Sequence, residues 1–477
     1  MNYKMISYTL GILLLFEAGF LLIPALAALI LSESALLAIL WTAAACLGVG
    51  VLLLFTRPER KTLHARDGFV IVALSWIVLS FFGCFPFFIS RAIPSFIDAL
   101  FETVSGFTTT GASILADVES MPKSLLLWRS FTHWVGGMGV LVFIMAILPL
   151  GGGQNMHIMK AESPGPTVSK LVPRVRNTAF LLYALYFLMT VLEFIFLIIG
   201  RMPVFDALCT AFGTAGTGGF GVKNDSLGGY SAYIQIVVAV FMLLFAVNFG
   251  SYFALIRKKP REALSTEVRA FFCIVVAAVA VLTVNVYRLF PSVGEALRHV
   301  FFSVASLISS TGFSTVDFDV WPQLSRTVIV LLMLIGACAG STGGGFKVAR
   351  VVLLVKAFGR EVHQAIHPKQ VKKITIDGKP VDKSVLDSLF AYTVSFITVY
   401  VVSMLLISVD NLDFTTNFTA VVATLNNIGP GLSLVGPTGN YAVFSSFSKG
   451  VLIFDMLAGR LELFPILLLF SPVTWRR

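Results

Sequence analysis

Apolar residues run in long blocks broken by short polar stretches along the whole chain. Ten blocks are long enough to cross a hydrocarbon core of about 30 Å as helices. Two lead, at 6–31 and 36–55, and the other eight fall into four pairs: 69–90 with 125–150, 177–199 with 233–256, 268–290 with 324–356, and 386–408 with 447–470. Inside each pair lies an apolar stretch too short to cross, at 98–110, 206–217, 298–311 and 416–428. A dozen helical residues cover about 18 Å, half the membrane, so each is predicted to enter and turn back. An irregular return of that kind survives only when buried in protein or lining a watery cavity. The first block is too long for a signal-peptide core and lacks a small-residue cleavage site, so it reads as a span.

Each short stretch ends on one signature: Thr109-Thr110-Gly111, Thr217-Gly218-Gly219, Ser310-Thr311-Gly312 and Asn427-Ile428-Gly429. Taking Gly111, Gly218, Gly312 and Gly429 as the matching glycines gives a repeat of roughly one hundred residues. Two full spans separate successive signatures. An even number makes all four loops enter from one face, as parallel copies about an axis along the membrane normal, whereas inverted repeats need an odd count. An ion leaving water must have its hydration shell replaced by oxygens. Backbone carbonyls supply them without fixed charge, glycine lets the chain turn to aim them, and threonine adds a hydroxyl at the same level. The candidate filter is therefore Thr109, Thr110, Gly111, Thr217, Gly218, Ser310, Thr311, Gly312, Asn427, Ile428 and Gly429, with a monovalent cation as ligand. Close helix packing is the other use of glycine in a membrane, but it does not call for four parallel copies, each after a half-helix. The signature carries no acid, which argues against a calcium-type filter. Asp98, Glu102, Asp206, Glu295 and Asp413 sit near the outer ends of the short helices, either as solvated loop charges or as acids concentrating cations at the mouth.

Composition agrees: 57% of residues are hydrophobic, 13% are charged, and mean hydropathy is +0.89. The fold class is an all-α polytopic membrane protein, with four parallel helix–pore-loop–helix repeats around a pseudo-fourfold pore plus two N-terminal transmembrane helices. The repeats divide the chain at 1–67, 68–176, 177–266, 267–385 and 386–477. A net charge of +10 raises nucleic acid as a partner, but its placement excludes that. With the first span leaving the cytoplasm, 25 of the 35 lysines and arginines fall on one side, in the N-terminus, 57–67, 154–176, 257–269, 347–383 and the tail. This is positive-inside asymmetry; it puts both termini in the cytoplasm and the four loops entering from outside. The five cysteines are scattered and odd in number, so neither a disulfide framework nor a thiolate metal site is expected. Of the six histidines, His363 and His367 stand four apart, but no cysteine or acid lies three or four residues to either side to complete a metal set. No nucleophile–base pair or metal set appears at helical spacing, so no enzyme and no organic cofactor are expected. Lys372 to Val381 alternates around Asp377-Gly378, a hairpin signal in the long polar connection 357–385.

Two features interrupt spans. Gly336 to Lys347 breaks the third unit's second span with glycines and small polar residues. Gly340-Ser-Thr-Gly-Gly-Gly-Phe-Lys347 is not a phosphate-binding loop, because Phe346 stands between the last glycine and the lysine; it is read as a flexible constriction or a kink. Arg460 lies ten or more residues from either end of its span, too deep to snorkel easily, so it should face a cavity and a partner; Glu462 and Asp455 are the candidate partners. Arg129, near the outer end of its span, is within snorkelling reach.

Over nearly its whole length the chain resembles the TrkH/KtrB superfamily of potassium uptake proteins, and the two extra leading spans place the likeness on the TrkH-like branch. The resemblance rests on Ser105-Gly-Phe-Thr-Thr-Thr-Gly-Ala112, Leu127-Trp-Arg-Ser-Phe-Thr-His-Trp-Val-Gly-Gly-Met-Gly139, Thr217-Gly-Gly-Phe220 and Ser310-Thr-Gly-Phe313. Further motifs are Gly340-Ser-Thr-Gly-Gly-Gly-Phe-Lys347, Thr424-Leu-Asn-Asn-Ile-Gly-Pro-Gly431 and Gly459-Arg-Leu-Glu462. It implies potassium as the transported ion, a homodimer, the bacterial cytoplasmic (inner) membrane, and a cytoplasmic nucleotide-binding TrkA-like regulatory subunit. It also implies an intramembrane gate made of Gly340, Ser341, Thr342, Gly343, Gly344, Gly345 and Lys347, with Arg460 facing the pore beneath the filter. The chain departs from the common pattern at Gly213, Gly216 and Ser310, changes that bear on potassium-over-sodium selectivity. A proton- or sodium-coupled symporter is the alternative, and a non-conducting scaffold subunit a more distant one.

Overall fold

The computed structural model describes residues 1–57, 65–139, 175–370 and 373–475. The distal part of the expected 125–150 span, and most of the basic segments 57–67 and 154–176, lie outside these residues. The helices are α1 (Tyr3–Ile30), α2 (Leu36–Leu54), α3 (Ala65–Gly83), α4 (Phe85–Ile89), α5 (Phe96–Phe107), α6 (Lys123–Gly137), α7 (Val175–Ile199), α8 (Val204–Gly216) and α9 (Ala232–Ala246). They continue with α10 (Phe249–Ile256), α11 (Thr266–Val286), α12 (Val293–Ile308), α13 (Gln323–Ile335), α14 (Val348–Ile366), α15 (Lys383–Ile407), α16 (Phe414–Leu425), α17 (Ser446–Arg460) and α18 (Phe464–Phe470).

The leading helices form a hairpin whose crossing depends on small residues. A Cβ added to Gly11 would stand 2.9 Å from the carbonyl oxygen of Gly50, so the backbones meet directly. The hairpin leans on the first unit, with the Phe20 and Phe131 rings edge-to-face at 5.7 Å. Just past α1, Glu33 accepts the backbone N–H groups of Lys123 and Ser124 at 2.9 Å. Its carboxylate thereby caps α6, whose own N-cap is Pro122 and has no side-chain acceptor.

The short helices α5, α8, α12 and α16 sit where half-helices were expected. Each packs against the second helix of the preceding unit: α6 on α8, α9 on α12, α13 on α16, and α17 on α5. The last pairing joins the fourth unit to the first, so the repeats close into a ring and every short helix is held from both sides.

The second spans are not the continuous helices that the apolar blocks suggested. Six helices among the described residues can cross unbroken, or seven counting α9 with α10, which meet at 89°. The physical reasons are local. Val247 is extended, and the Asn248 side chain accepts the Gly250 N–H at 2.7 Å, starting a new helix. In the fourth unit Glu462 and Leu463 take φ of +53° and +65°, and α18 starts at Phe464-Pro465. In the third, α13 stops at Gly336 (φ +73°) and α14 starts only after Lys347. In the first, α6 ends at Gly137, with Gly139 at φ +84°.

The hairpin forms as the alternation predicted, with β1 (Thr375–Ile376) antiparallel to β2 (Lys379–Pro380) and Asp377 and Gly378 both at positive φ. Ile374, Ile376 and Val381 seat it on Leu353, Ala357, Leu386 and Leu389 of α14 and α15.

Candidate functional site

Each short helix ends in the same way. The first signature residue adopts the left-handed region: Thr109 (φ +55°), Thr217 (+55°), Ser310 (+60°) and Asn427 (+53°). Its N–H bonds three residues back, to Gly106, Thr214, Leu307 and Thr424. The next N–H bonds five residues back, from Thr110 to Ser105 at 2.9 Å, and from Gly218 to Gly213, Thr311 to Ser306 and Ile428 to Ala423 at 2.8 Å. This is a Schellman cap, whose left-handed position normally takes glycine. A threonine there is a sterically rare conformation, costing on the order of 1 kcal/mol or more, and such strain collects at functional sites.

The third signature residue again has positive φ: Gly111 (+81°), Gly219 (+76°), Gly312 (+87°) and Gly429 (+97°). The second loop therefore matches the others through Gly219. Gly218 occupies the middle position, beside the ring of His133, where an added Cβ would collide with the imidazole. Gly219 is thus the one loop glycine missing from the sequence-based set. The signal that could have found it was the triplet register, with Thr217 aligned on Thr109.

The loops touch in cyclic order. A Cβ on Gly111 would run into the carbonyl oxygen of Gly218, on Gly219 into that of Thr311, and on Gly312 into that of Ile428; on Gly429 it would stand 2.8 Å from the oxygen of Thr110. The middle carbonyls of four loops thus crowd in sequence onto the four glycines, and no larger residue fits any of these positions. Asn427 braces the seam between the fourth and first loops, donating to Thr110 Oγ1 and to the Met456 carbonyl, both at 2.9 Å. All four helix C-termini end at this ring. Each macrodipole places about half a negative charge there, which favours a cation without introducing a carboxylate.

Against the ring lies the 336–347 loop. The Gly344 N–H donates to Ser310 Oγ, and Gly345 N–H to the Asn426 carbonyl at 2.9 Å. Cys338 N–H reaches the Ala246 carbonyl at 3.0 Å, and Phe249 N–H the Gly340 carbonyl at 3.0 Å, so the loop fills the bend between α9 and α10. Lys347, buried and at φ +83°, turns its Nζ back onto the Gly343 carbonyl. Arg460 donates to Thr342 O (3.1 Å), Thr109 Oγ1 (3.2 Å), Gly136 O (2.5 Å) and Gly137 O (2.6 Å), joining the fourth unit to the first and third. The acids considered as its partners are engaged elsewhere. Glu462 pairs with Arg350 at 2.6 Å, and Asp455 accepts from Ser403 at 2.6 Å.

The outer acids are not free loop charges. Glu102 is fully buried and pairs with Arg129 at 2.6 Å. Arg129 is buried too, its guanidinium 3.5 Å from the centre of the Phe220 ring and bonded to the Gly221 carbonyl at 3.0 Å. It does not snorkel, because an acid one helix away offers a closer partner than the interface. Asp98 pairs with Lys449 at 2.5 Å, Asp206 accepts from Tyr230 at 2.7 Å, and Asp413 caps α16 through Thr416 N–H at 3.0 Å. Glu295, in the first turn of α12, stands 3.5 Å from Arg298. His133 bonds Gly106 O through Nδ1 (2.7 Å) and accepts the Phe220 N–H at Nε2 (3.3 Å), so its role is to join two loops.

Fold and ring together define a multi-pass membrane protein built from four parallel pore-loop repeats. The chain belongs to the TrkH family, described as cation transport proteins, whose family model matches residues 36–476. It is 36% identical to the Trk system potassium uptake protein TrkH of Salmonella typhimurium and to that of Escherichia coli K12, over the whole of both chains in each case. TrkG of Escherichia coli K12 is 32% identical over all of this chain and 99% of its own. The crystal structure of the potassium transporter TrkH from Vibrio parahaemolyticus superposes with a TM-score of 0.90 at 34% identity, covering both chains completely.

Proposed function

We propose that this chain takes up potassium through the ring of signature loops, with the 336–347 loop as its gate. The observation that carries the reading is the cyclic contact of four strained loops. Four glycines that admit no Cβ, each faced by the neighbouring loop's carbonyl oxygen, suit a bare monovalent cation stripped of its water. The gate assignment rests on the loop's bonds to Ser310 and Asn426 and on its hold by Arg460. The names of the relatives support potassium as cargo. In this proposal the protein lies in the bacterial cytoplasmic membrane with both termini inside, pairs as a homodimer, and answers to a TrkA-like nucleotide-binding subunit on the basic face. The test is uptake by the purified protein in liposomes. Potassium and rubidium should enter well ahead of sodium, and equal sodium entry, or none of the three, would overturn the filter reading.

A further inference from the structure

The gate loop is tied down at one further point, by a side chain at the basic face that the sequence did not single out. Glu267 is the second residue of α11. Its Oε1 accepts the Ala339 N–H at 2.6 Å and the Ala349 N–H at 3.2 Å. Ala339 lies inside the loop and Ala349 in the first turn of α14, so one oxygen gathers the loop's entry and its exit. The Ala349 bond also satisfies one of the orphan donors at a helix start. One residue earlier, the Thr266 N–H (2.6 Å) and hydroxyl (2.7 Å) donate to Asp377 Oδ1, at the tip of the β1–β2 hairpin. That hairpin is anchored on α14 and α15, and Lys356 Nζ holds the Thr375 carbonyl at 2.7 Å. A continuous path therefore runs from an exposed hairpin, through two adjacent residues of α11, to both ends of the loop.

We propose that Glu267 is the positioning residue that holds the 336–347 loop shut, and that Asp377 sets its position from the hairpin. The hairpin is then the point at which a load applied to the basic face reaches the gate. This inference rests on the gate reading above. A separate observation makes it readable: Cys338, beside Ala339, is a fully buried free thiol, whereas Cys273 is the exposed cysteine of the chain. With Cys273→Ser as background, attack by a small thiol reagent on Cys338 reports displacement of the loop directly.

The experiment measures rubidium influx and Cys338 labelling on the full chain in liposomes. Glu267→Ala should raise basal influx about tenfold, the scale of one lost hydrogen bond to a charged group, and should expose Cys338. Glu267→Gln keeps both the volume and an acceptor oxygen and should rise by no more than about twofold. Glu267→Leu keeps the volume without the acceptor and should rise like Glu267→Ala; Leu behaving like Gln would reduce the residue to packing and overturn the proposal. Asp377→Ala should shift both readouts the same way by a smaller factor, and the double variant should add little to Glu267→Ala, as expected for residues acting in series. Deletion of Gly343–Gly345 is the control for the underlying reading. If the deletion raises influx while Glu267→Ala leaves influx and labelling unchanged, this inference is overturned and the gate stands. If neither raises influx, the gate reading falls and takes the inference with it. Should Glu267→Ala fail to fold, Asp377→Ala with unaltered labelling overturns the proposal alone.

Discussion

Arg460 is the residue whose replacement separates two ways of closing a cation path. Its guanidinium bonds four oxygens on two other units, including Thr342 O in the 336–347 loop. A charged hydrogen bond contributes about 1.5–3 kcal/mol net, so losing the Thr342 bond alone favours the open loop by about tenfold to a hundredfold. The charge acts in the same direction: at about 8 Å and an effective dielectric constant of about 20 it opposes a cation by about 2 kcal/mol. Arg460→Ala and Arg460→Gln are both expected to raise rubidium influx by an order of magnitude or more. Arg460→Lys discriminates, since it keeps the charge but cannot fork to four oxygens. The two contributions are of similar size, so Lys, which keeps the charge and loses the fork, should fall between Ala and the unaltered chain in a liposome flux assay normalised to inserted protein. Lys matching the unaltered chain would refute the anchoring argument and leave repulsion. A lower flux in Arg460→Ala, with normal folding, would refute both and make the residue a structural brace.

Three further outcomes follow from the same geometry. Gly219→Ala and Gly312→Ala should each abolish transport or erase potassium-over-sodium discrimination, because the added Cβ meets a neighbouring loop's carbonyl at positive φ; intact discrimination in competitive uptake would contradict the ring. Glu102→Gln leaves Arg129 charged and buried, which costs about 3–5 kcal/mol when one partner of such a pair is removed, and should lower the unfolding temperature in detergent; Glu102→Gln with Arg129→Met should recover part of it. Asn427→Leu removes the brace between the fourth and first loops and should raise sodium entry at unchanged protein level; a sodium ratio equal to that of the unaltered chain would show that Gly429 alone fixes the seam.

Architecture was legible because bilayer thickness imposes it: blocks near twenty apolar residues must span, and blocks near a dozen must return. Asp377-Gly378 announced its hairpin because only a few residue pairs accept two positive φ angles. What escaped the sequence was whatever depended on partners far away along the chain. Arg129 looks like a snorkeller until α5 brings Glu102 against it, and Glu102 looks like a mouth charge until the same contact buries it. The break after Arg460 is carried by Glu462 and Leu463, residue types that give no signal of positive φ, so the apolar block 447–470 reads as one helix. Gly218 and Gly219 are adjacent and chemically identical, so pairing glycine with glycine misplaces the match, which the triplet register and the order of contacts around the ring both assign to Gly219. The same logic explains why the non-glycine positions matter most. A glycine at Thr109, Thr217, Ser310 or Asn427 would relieve the left-handed strain, yet the chain carries a side-chain oxygen at all four. Those side chains are used: Thr109 Oγ1 accepts from Arg460, Ser310 Oγ accepts from the Gly344 N–H, Asn427 donates through its amide nitrogen to Thr110 Oγ1 and the Met456 carbonyl, and Thr217 Oγ1 donates to the adjacent Gly216 carbonyl. At Thr109 and Ser310 the side chains that cause the strain are the ones through which Arg460 and the 336–347 loop grip the ring, and at Asn427 the one that ties the fourth loop to the first.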